Sequence, residues 1–466
     1  MSKTSFDVQI WKTDVYRGKT KTTYWVQWAV AGQRHKEKFK TSALAESFRS
    51  ELLTAARKGE AFYVDSGLPL SMQRAAVDLN WYAFACKFVD TKWDGAAGTT
   101  RRTVAEALTR VTVRMFTTDK GKPDEKLIRH ALNRWAFNKV KRDSASCPAN
   151  VVSTIRWIER NTRKVSAISM PEVLRGVLDG LTKNLDGSPT ASSVVSRHRK
   201  ILNTAVEYAV RELKALSANP IPALKWTAPK VSHTVDRRSV ANPTQARTLL
   251  RAVRHYGRIG PRVEAFFGCL YFAALRPEEA VSLAKHNLSL PADGWGELYL
   301  EVAEPFAGKE WTDNGKNRDR RQLKQRAVGE VRTVPCPPEL TALLHQHMKT
   351  FGTTSDGRLF RGERNQEELP KGTINRAWRE ARKATFAPAV LASPLAATPY
   401  DLRHAAVSTW LNAGVPPADV AKWAGHSVEI LLKTYAKCLD GGAELLRKRV
   451  QDALGNGPGP SVAIER

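Results

Sequence analysis

The 466-residue chain is strongly basic, with 74 Lys and Arg against 46 Asp and Glu and a formal net charge of +28. Its 42% hydrophobic residues can fill real cores, and its mean hydropathy of −0.40 is that of a soluble protein. At about 100–200 residues per domain, the length predicts two to four domains. No apolar run approaches the ~18 residues that span a membrane, and residues 1–12 lack the apolar core of a signal peptide. So positive a chain attracts polyanions, which makes DNA the expected partner; a ribosome-associated protein or a merely basic surface are the alternatives.

The cysteine pattern argues against disulfides and metal sites. The five cysteines are odd in number and widely spaced, and no Cys-x-x-Cys pair occurs among them. This usage predicts free thiols in a reduced cytoplasmic protein, with no zinc site and no cofactor. Cys269 and Cys336 stand in apolar surroundings and are predicted to be core residues.

Residues 1–65 predict a small α+β module. Short strands are predicted at Phe6–Ile10, Tyr24–Val30 and Lys36–Lys40. A helix follows over Ser42–Lys58, with Ser42 as its candidate cap. Lys36 and Lys38 are candidates for contact with DNA; a solvated surface is the alternative interpretation.

Residues 70–225 predict a helical bundle. Apolar residues recur at three- and four-residue spacings in Val104–Phe116, Val151–Arg160, Met170–Leu181 and Ala191–Leu213. In the last segment, Arg197 and Lys200 could lie along DNA phosphates or on an ordinary solvated face. Residues 226–242 contain proline and basic residues with little periodicity, which predicts a linker.

Residues 243–454 predict a second domain of mixed α/β type, so the fold class is multidomain and mainly α, with small β-sheets. Strands are predicted at Glu297–Val302 and Val331–Pro335. Helices are predicted at Gln245–Tyr256, Arg262–Leu275, Glu339–Thr350, Ile374–Ala384, Asp401–Ala413 and Pro417–Trp423. The tail over 455–466 is rich in Gly and Pro and is predicted to be disordered.

Two segments of this domain present arginines beside helices. In the first, an apolar helix ends at Leu275, Arg276 follows, and Glu279 stands three residues further on. The second is Tyr400-Asp401-Leu402-Arg403-His404, in which Tyr400 and Arg403 would share one face of a helical turn. Taken singly, each has an ordinary explanation as a surface arginine or a helix start.

A third segment combines a glycine, a histidine and a tyrosine. Gly425 is predicted to end one helix as its C-cap, and His426 follows it directly. Tyr435 comes nine residues after His426, on the next predicted helix. A lone Tyr or His is usually structural, so the order of all three segments matters more than any one of them.

Together the three segments resemble the tyrosine recombinase (phage integrase) family. Its pattern is an Arg with a Glu three residues on, then His-x-x-Arg, then Gly-His before a nucleophilic Tyr. The order and spacing fit throughout residues 243–440. The resemblance implies an arm-type DNA-binding module at 1–65, a SAM-like core-binding module at 70–225 and a catalytic domain at 243–454.

The chain departs from this pattern at Tyr400, which stands where the family has its first His. His404 corresponds instead to a common second His of the same run. A Tyr side chain, with a free pKa of ~10, is a poorer base near neutral pH than His. Tyr400 keeps a supporting role as a hydrogen-bonding group, and the identity of the base stays open.

The family also uses a Lys on a β-hairpin between its first two motifs. Lys324 is the candidate here because it lies just before the predicted strand at 331–335, and Lys309 and Lys316 compete with it. Arg326, in the same basic stretch, is a further candidate for contact with DNA.

The resemblance implies a defined reaction. Tyr435 would attack a DNA phosphodiester and form a 3′-phosphotyrosine. Arg276, Arg403 and His426 would stabilise the pentavalent transition state. Lys324 would protonate the departing 5′-oxygen, and the 5′-hydroxyl of a second strand would reverse the reaction without ATP or a metal ion. The sequence contains no Walker-type loop and no metal-ligand spacing, in agreement with this chemistry.

The implied function is site-specific integration or excision of a phage or another mobile element, by a nucleoid-associated cytoplasmic enzyme. The implied partners are double-stranded DNA attachment sites, a homotetramer in the synapse, and possible host DNA-bending and directionality proteins, with no membrane. Residues 445–454 could form an amphipathic helix that reaches a neighbouring protomer or packs on its own domain. The alternatives are a type IB topoisomerase-like enzyme and a catalytically impaired DNA-binding regulator.

Overall fold

The computed structural model describes residues 3–17, 22–72, 79–184, 186–324, 326–327, 329–363, 368–438 and 443–454. The chain divides into two compact units, Met1–Ala96 with Thr100–Lys230, and Ala97–Thr99 with Val231–Arg466. Helices dominate and the sheets are small, which confirms the predicted fold class. The predicted tail at 455–466 lies outside the described residues, and the predicted boundaries at 65–70 and 226–242 stay predictions.

The first unit opens with small antiparallel sheets. Its strands are β1 (Thr4–Ser5), β2 (Val8–Ile10), β3 (Asp14–Arg17), β4 (Thr22–Val30), β5 (Gln33–Phe39) and β6 (Phe62–Tyr63). The long strand β4 pairs with β2, β3 and β5, and β1 pairs with β6. Ala31 and Gly32 join β4 to β5 with φ values of 47° and 81°, the pair of positive angles that a type I′ hairpin turn requires.

Alternation along β4 gives this sheet a buried face and an open face. Val26, Trp28 and Val30 are buried and cluster with Leu52 of helix α1 (Ser42–Arg57). The predicted cap of this helix was wrong by one residue. Thr41 is the cap, because its backbone is extended and its Oγ1 accepts a hydrogen bond from the Leu44 N–H at 3.3 Å.

The rest of the first unit is helical, as predicted. The helices are α2 (Trp81–Trp93), α3 (Gly98–Thr112), α4 (Glu125–Ala131), α5 (Lys139–Arg142), α6 (Ala149–Asn161), α7 (Pro171–Leu181) and α8 (Ser192–Arg211), with a π-helical turn at Leu132–Ala136 and a 3₁₀ turn at Val165–Ser169. The sequence analysis did not predict α2. Its own apolar side chains lie on nearly every side of the helix, so the sequence shows no amphipathic period there.

The described residues of the second unit form helices and two small antiparallel sheets. Its helices are α9 (Pro243–Arg254), α10 (Gly260–Phe272), α11 (Pro277–Ala280), α12 (Pro338–Phe351), α13 (Lys371–Thr385), α14 (Pro388–Leu391), α15 (Asp401–Asn412), α16 (Pro417–Ala424), α17 (Val428–Tyr435) and α18 (Ala443–Ala453). Its strands are β7 (Leu288–Ser289), β8 (Gly296–Leu300), β9 (Val302–Ala303), β10 (Arg321–Gln322) and β11 (Arg332–Cys336). Strand β8 lies between β7 and β11, and β9 pairs with β10.

Helix α10 is the centre of the second unit. It contacts α9, α12 and α15 and is buried on nearly all sides. Phe267 stacks on Trp378 at a ring separation of 5.2 Å, and burying one such side chain stabilises a fold by about 1.5–3 kcal/mol. Cys269 and Cys336 are fully buried, as predicted. A rigid α10 holds the turn that follows it, where the chemistry-bearing residues begin.

Candidate active site

The turn after α10 fixes Arg276 through the carboxylate of Glu279. Pro277 starts the short helix α11, and Glu279 occupies its third position. The Glu279 carboxylate accepts two hydrogen bonds from Arg276, one from its backbone N–H at 2.9 Å and one from its side-chain Nη1 at 2.7 Å. One side chain therefore holds both the backbone and the guanidinium of Arg276, and this explains the three-residue spacing seen in the sequence.

Arg332, the first residue of β11, completes a buried Arg–Glu–Arg cluster. Its Nη1 and Nη2 donate to the two oxygens of Glu279 at 2.9 and 2.6 Å. Arg332 and Glu279 are 2% and 1% exposed, and Arg276 is 8% exposed. Burial acts to raise the pKa of Glu279, but the charges and hydrogen bonds of Arg332 and Arg276 outweigh it and lower this pKa to about 2. Glu279 is therefore ionised at neutral pH.

Arg403 lies on the first turn of α15 and is fully buried. Its Nη1 donates to the Ala274 carbonyl, and its Nη2 donates to the Ala424 carbonyl at 2.5 Å and to His426 Nε2 at 3.0 Å. Burial lowers the pKa of Arg403, but a guanidinium keeps its proton in proteins. Its Nε has no partner among the described residues, so one donor stays unused.

Gly425 ends α16 as predicted, in the left-handed conformation with φ 63° and ψ 51°. Its carbonyl accepts Arg276 Nη2 at 2.8 Å. A Cβ at this position would collide with Arg332 Nη1 and lie 3.2 Å from Arg276 Nη1. Glycine is therefore required both by the backbone angle and by the close approach of the two guanidiniums.

His426 is neutral and has one free donor. Burial, followed by the charges of Arg403, Arg276 and Arg332, lowers its pKa to about 3. Because Nε2 accepts a hydrogen bond from Arg403, the ring proton is assigned to Nδ1. This buried Nδ1 has no partner among the described residues, so it can donate to an arriving ligand.

Tyr435 is the last residue of α17 and is 1% exposed. Its ring lies 6.3 Å from the His426 ring and 5.7 Å from the His404 ring, centre to centre. The hydroxyl forms a hydrogen bond with His404 Nδ1 at 2.9 Å. Burial raises the pKa of Tyr435, although the charge of Arg403 acts in the opposite direction.

Tyr400 lies beside the same group, while Lys324 lies at its edge. The Tyr400 ring meets the His404 ring edge-on at 5.1 Å and faces the Arg403 guanidinium at 6.0 Å. Lys324 follows β10, and its mostly exposed ammonium is 3.9 Å from Glu278, the residue before Glu279. The roles of both residues stay predictions, as does the choice among the three lysines.

The predicted DNA-contacting residues have differing surroundings. The ammonium groups of Lys36 and Lys38 lie 4.7 and 5.6 Å from the Trp25 ring, on the open face of the first sheet. Arg197 and Lys200 are exposed on α8. Arg326 is paired with Glu330. Contact of any of them with DNA stays a prediction.

The sequence analysis gave no role to two residues of the site. Arg332 lies on the same buried face of β11 as Val334 and Cys336. A charged side chain on a buried face requires a buried partner, so the alternation in the sequence already pointed to such a partner for Arg332. His404 was set aside as a secondary histidine, although the structure bonds it to Tyr435.

Within the described ranges, no cluster of three or more His, Cys, Asp and Glu side chains is arranged to hold a metal ion. The search for membrane-crossing helices, over the same residues, found none of sufficient length and apolarity.

No protein-family model and no curated protein matches the chain. Among solved structures, it is similar to the Tn1549 transposon integrase in complex with transposon right end DNA, with a TM-score of 0.46 and 14% identity over 68% of this chain and 97% of that one. It is also similar to the XerH site-specific recombinase bound to difH substrate, with a TM-score of 0.45 and 12% identity over 80% and 94% of the two chains.

Replacing Glu279 with Gln tests the buried cluster. The pKa of Glu279 is lowered from 4.5, so its charge contributes stability that is complete above pH 4.5 and is lost as the pH falls toward about 2. We expect the variant to be roughly 3 kcal/mol less stable at neutral pH, with the difference shrinking through that window. Urea unfolding at a series of pH values measures it. Glu339→Gln, which breaks a half-exposed pair with Arg247, should change little, and a pH-independent difference for Glu279→Gln would contradict the assignment.

Replacing Gly425 with Ala tests the crowding around the guanidiniums. Gly315 has a similar φ of 66° but no atom within 4 Å of a Cβ position, so Gly315→Ala isolates the backbone cost of about 1 kcal/mol. We expect Gly425→Ala to lose about 1–3 kcal/mol more through overpacking. Thermal unfolding of both variants provides the comparison, and equal losses would exclude a steric role for the arginines.

Proposed function

We propose that this chain is a tyrosine site-specific DNA recombinase, which integrates or excises a mobile element through a 3′-phosphotyrosine intermediate. One observation carries the proposal: a single buried cluster combines Arg276, Arg403, the neutral His426 and the hydroxyl-bearing Tyr435. Phosphoryl transfer to a tyrosine needs such a set, with charged donors for the phosphate oxygens beside a nucleophile.

The arginines retain donors for a phosphate. A guanidinium has five N–H groups, and the hydrogen bonds of Arg403 to Ala274, Ala424 and His426 leave its Nε among those unused. The two bonds of Arg276, to Glu279 and Gly425, leave further N–H groups free for a ligand. Together with Nδ1 of His426, the N–H groups of Arg276 and Arg403 would donate to the non-bridging oxygens of the DNA phosphate. The transition state concentrates negative charge on these oxygens.

The reaction follows from this placement. The Tyr435 oxygen attacks phosphorus, the bond to the 5′-oxygen breaks, and the DNA stays attached as a 3′-phosphotyrosine. Lys324 supplies the proton to the leaving 5′-oxygen; its exposed side chain near Glu278 leaves it free to approach bound DNA. The 5′-hydroxyl of another strand then attacks the phosphotyrosine and restores a phosphodiester, so the bond energy is conserved.

Double-stranded DNA attachment sites are the proposed substrate. The net charge of +28 favours a polyanion. The open face of the first sheet offers the Trp25 ring with the ammonium groups of Lys36 and Lys38 over it. Arg197 and Lys200 add positive charge along α8. Joining two duplexes requires four active sites, so a homotetramer assembles in the synapse, with host DNA-bending and directionality proteins as further partners.

The nucleophile is tested by trapping. A nicked duplex carrying an end of the surrounding element loses its short 5′-fragment after cleavage, so religation fails and the covalent complex accumulates. We expect a protein–DNA adduct on a denaturing gel with the parent protein and none with Tyr435→Phe. Tyr299→Phe, which removes a hydroxyl bonded to Glu297, should trap normally.

An adduct that persists in Tyr435→Phe would exclude Tyr435 as the nucleophile. The absence of any adduct despite specific binding would favour a DNA-binding regulator. If an adduct forms, transfer to a second duplex identifies a recombinase, whereas relaxation of a supercoiled plasmid without an attachment site identifies a topoisomerase-like enzyme.

The general acid is tested by changing the leaving group. A 5′-bridging sulfur departs as a thiolate and needs no proton, so it should restore cleavage to a variant that lacks only the acid. We expect Lys324→Ala to slow cleavage of ordinary DNA by about 10²–10⁴-fold and to cleave the sulfur substrate nearly normally. Lys309→Ala and Lys316→Ala are the matched controls; a sulfur-rescued loss in either would move the assignment to that lysine.

A further inference from the structure

The hydroxyl of Tyr435 is bonded to His404, the second His of its run, and not to Tyr400 at the position of the family's first His. His404 Nδ1 lies 2.9 Å from the Tyr435 oxygen, within the range of a short, well-formed hydrogen bond. The two rings meet edge-on at 5.7 Å. His404 follows Arg403 directly on α15, so the residue that binds phosphate and the residue that contacts the nucleophile share one helical turn.

We propose that His404 is the catalytic base of this enzyme and accepts the Tyr435 proton as the hydroxyl attacks phosphorus. This inference rests on the proposed function. It fills the position left open by Tyr400, where the family pattern has histidine.

The other neighbours of Tyr435 are less suited to accept the proton. His426 uses Nε2 to accept from Arg403, and its proton therefore occupies Nδ1, which leaves no lone pair for a second proton. Tyr400 contacts His404 rather than replacing it, and a neutral phenol is a very weak base. His404 is the histidine whose ring nitrogen already holds the hydroxyl.

Burial and the charge of Arg403 keep His404 neutral before DNA binds. Burial, then the charge of Arg403, lowers its pKa to about 4. The groups facing it are Arg403 and Tyr400 on its own segment and Tyr435 on α17; His426 lies on the Tyr435 ring. An incoming phosphate places negative charge beside the ring and partly offsets Arg403, so the imidazolium becomes more stable as the substrate arrives.

The proton and electron balance is complete within the site. The Tyr435 O–H bond breaks as His404 Nδ1 gains the proton, and the phenolate oxygen forms its bond to phosphorus. The bond from phosphorus to the 5′-oxygen breaks, and that oxygen takes a proton from Lys324. In the rejoining step the incoming 5′-hydroxyl loses its proton to the same lysine, and His404 returns its proton to the departing Tyr435 oxygen.

The test is the pH dependence of single-turnover cleavage of the nicked substrate. Asparagine can keep a hydrogen-bond acceptor near the position of Nδ1 but cannot take a proton, so His404→Asn separates orientation from proton transfer. We expect a nearly flat parental rate above pH 6, because a base of lowered pKa is already deprotonated there. His404→Asn should be about 10²–10⁴-fold slower near pH 7 and gain about tenfold per pH unit as the phenolate fraction grows.

His345→Asn is the matched control, because His345 is half-buried on α12, bonds the Pro291 carbonyl and is not among the residues proposed for catalysis. A His404→Asn variant with the parental rate and a flat profile would overturn the inference while leaving the proposed function intact. A parental protein that forms no adduct would overturn both. A purely structural role would lower the rate without changing its slope with pH, which also counts against proton transfer.

A second measurement does not depend on cleavage. In the ¹⁵N spectrum of the full-length protein labelled at histidine, His404 should appear neutral at pH 7 with its proton on Nε2. Tyr435→Phe should shift its Nδ1 resonance by removing the donated hydrogen bond. A proton on Nδ1, or no shift in Tyr435→Phe, would show that His404 does not accept from Tyr435.

Discussion

The geometry of the site depends on the carboxylate of Glu279. It takes hydrogen bonds from the backbone and guanidinium of Arg276 and from both terminal nitrogens of Arg332. Arg276 in turn donates to the Gly425 carbonyl at the end of α16. The turn after α10, strand β11 and the end of α16 are therefore held around one buried anion. Buried ion pairs add little net stability compared with apolar packing, but removing one partner costs about 3–5 kcal/mol. Conformations that separate Glu279 from its arginines are therefore strongly disfavoured.

The same cluster leaves the site with surplus positive charge. Arg276, Arg332 and Arg403 are buried together, and the buried carboxylate of Glu279 bonds two of them, Arg276 and Arg332. Among the described residues, the acceptors bonded by Arg403 are neutral: the carbonyls of Ala274 and Ala424, and His426. The Ala424 carbonyl ends α16, where the helix dipole is negative and favours a cation. In the proposed reaction, a phosphate would meet charges that folding has already oriented and desolvated.

The sequence predicted those parts of the site that local rules determine. Arg276 and Glu279 are three residues apart, Gly425 ends a helix, and Tyr435 lies on the short helix after it; each relation is local, and each is found in the structure. Pairings between distant segments were not predictable in this way. Arg332 meets Glu279 across 53 residues, and no helical or strand period relates the two positions. The choice of His404 over Tyr400 as the partner of Tyr435 depends on how α17 packs on α15, which a single sequence does not reveal.

The placement of Tyr435 depends on contacts from outside its own helix. Helix α17 has eight residues and a Ser427 cap, and a helix this short has little stability of its own in water. Val235, in the segment predicted as a linker, donates its N–H to the Thr434 carbonyl at 2.8 Å and packs in the same apolar cluster as Tyr435. His404 fixes the hydroxyl, and the cluster fixes the ring. A shift of the Val235 segment would therefore reach Tyr435, the proposed nucleophile, through this hydrogen bond and the shared cluster. The arginines, which are tied to Glu279 and to the end of α16, would keep their positions.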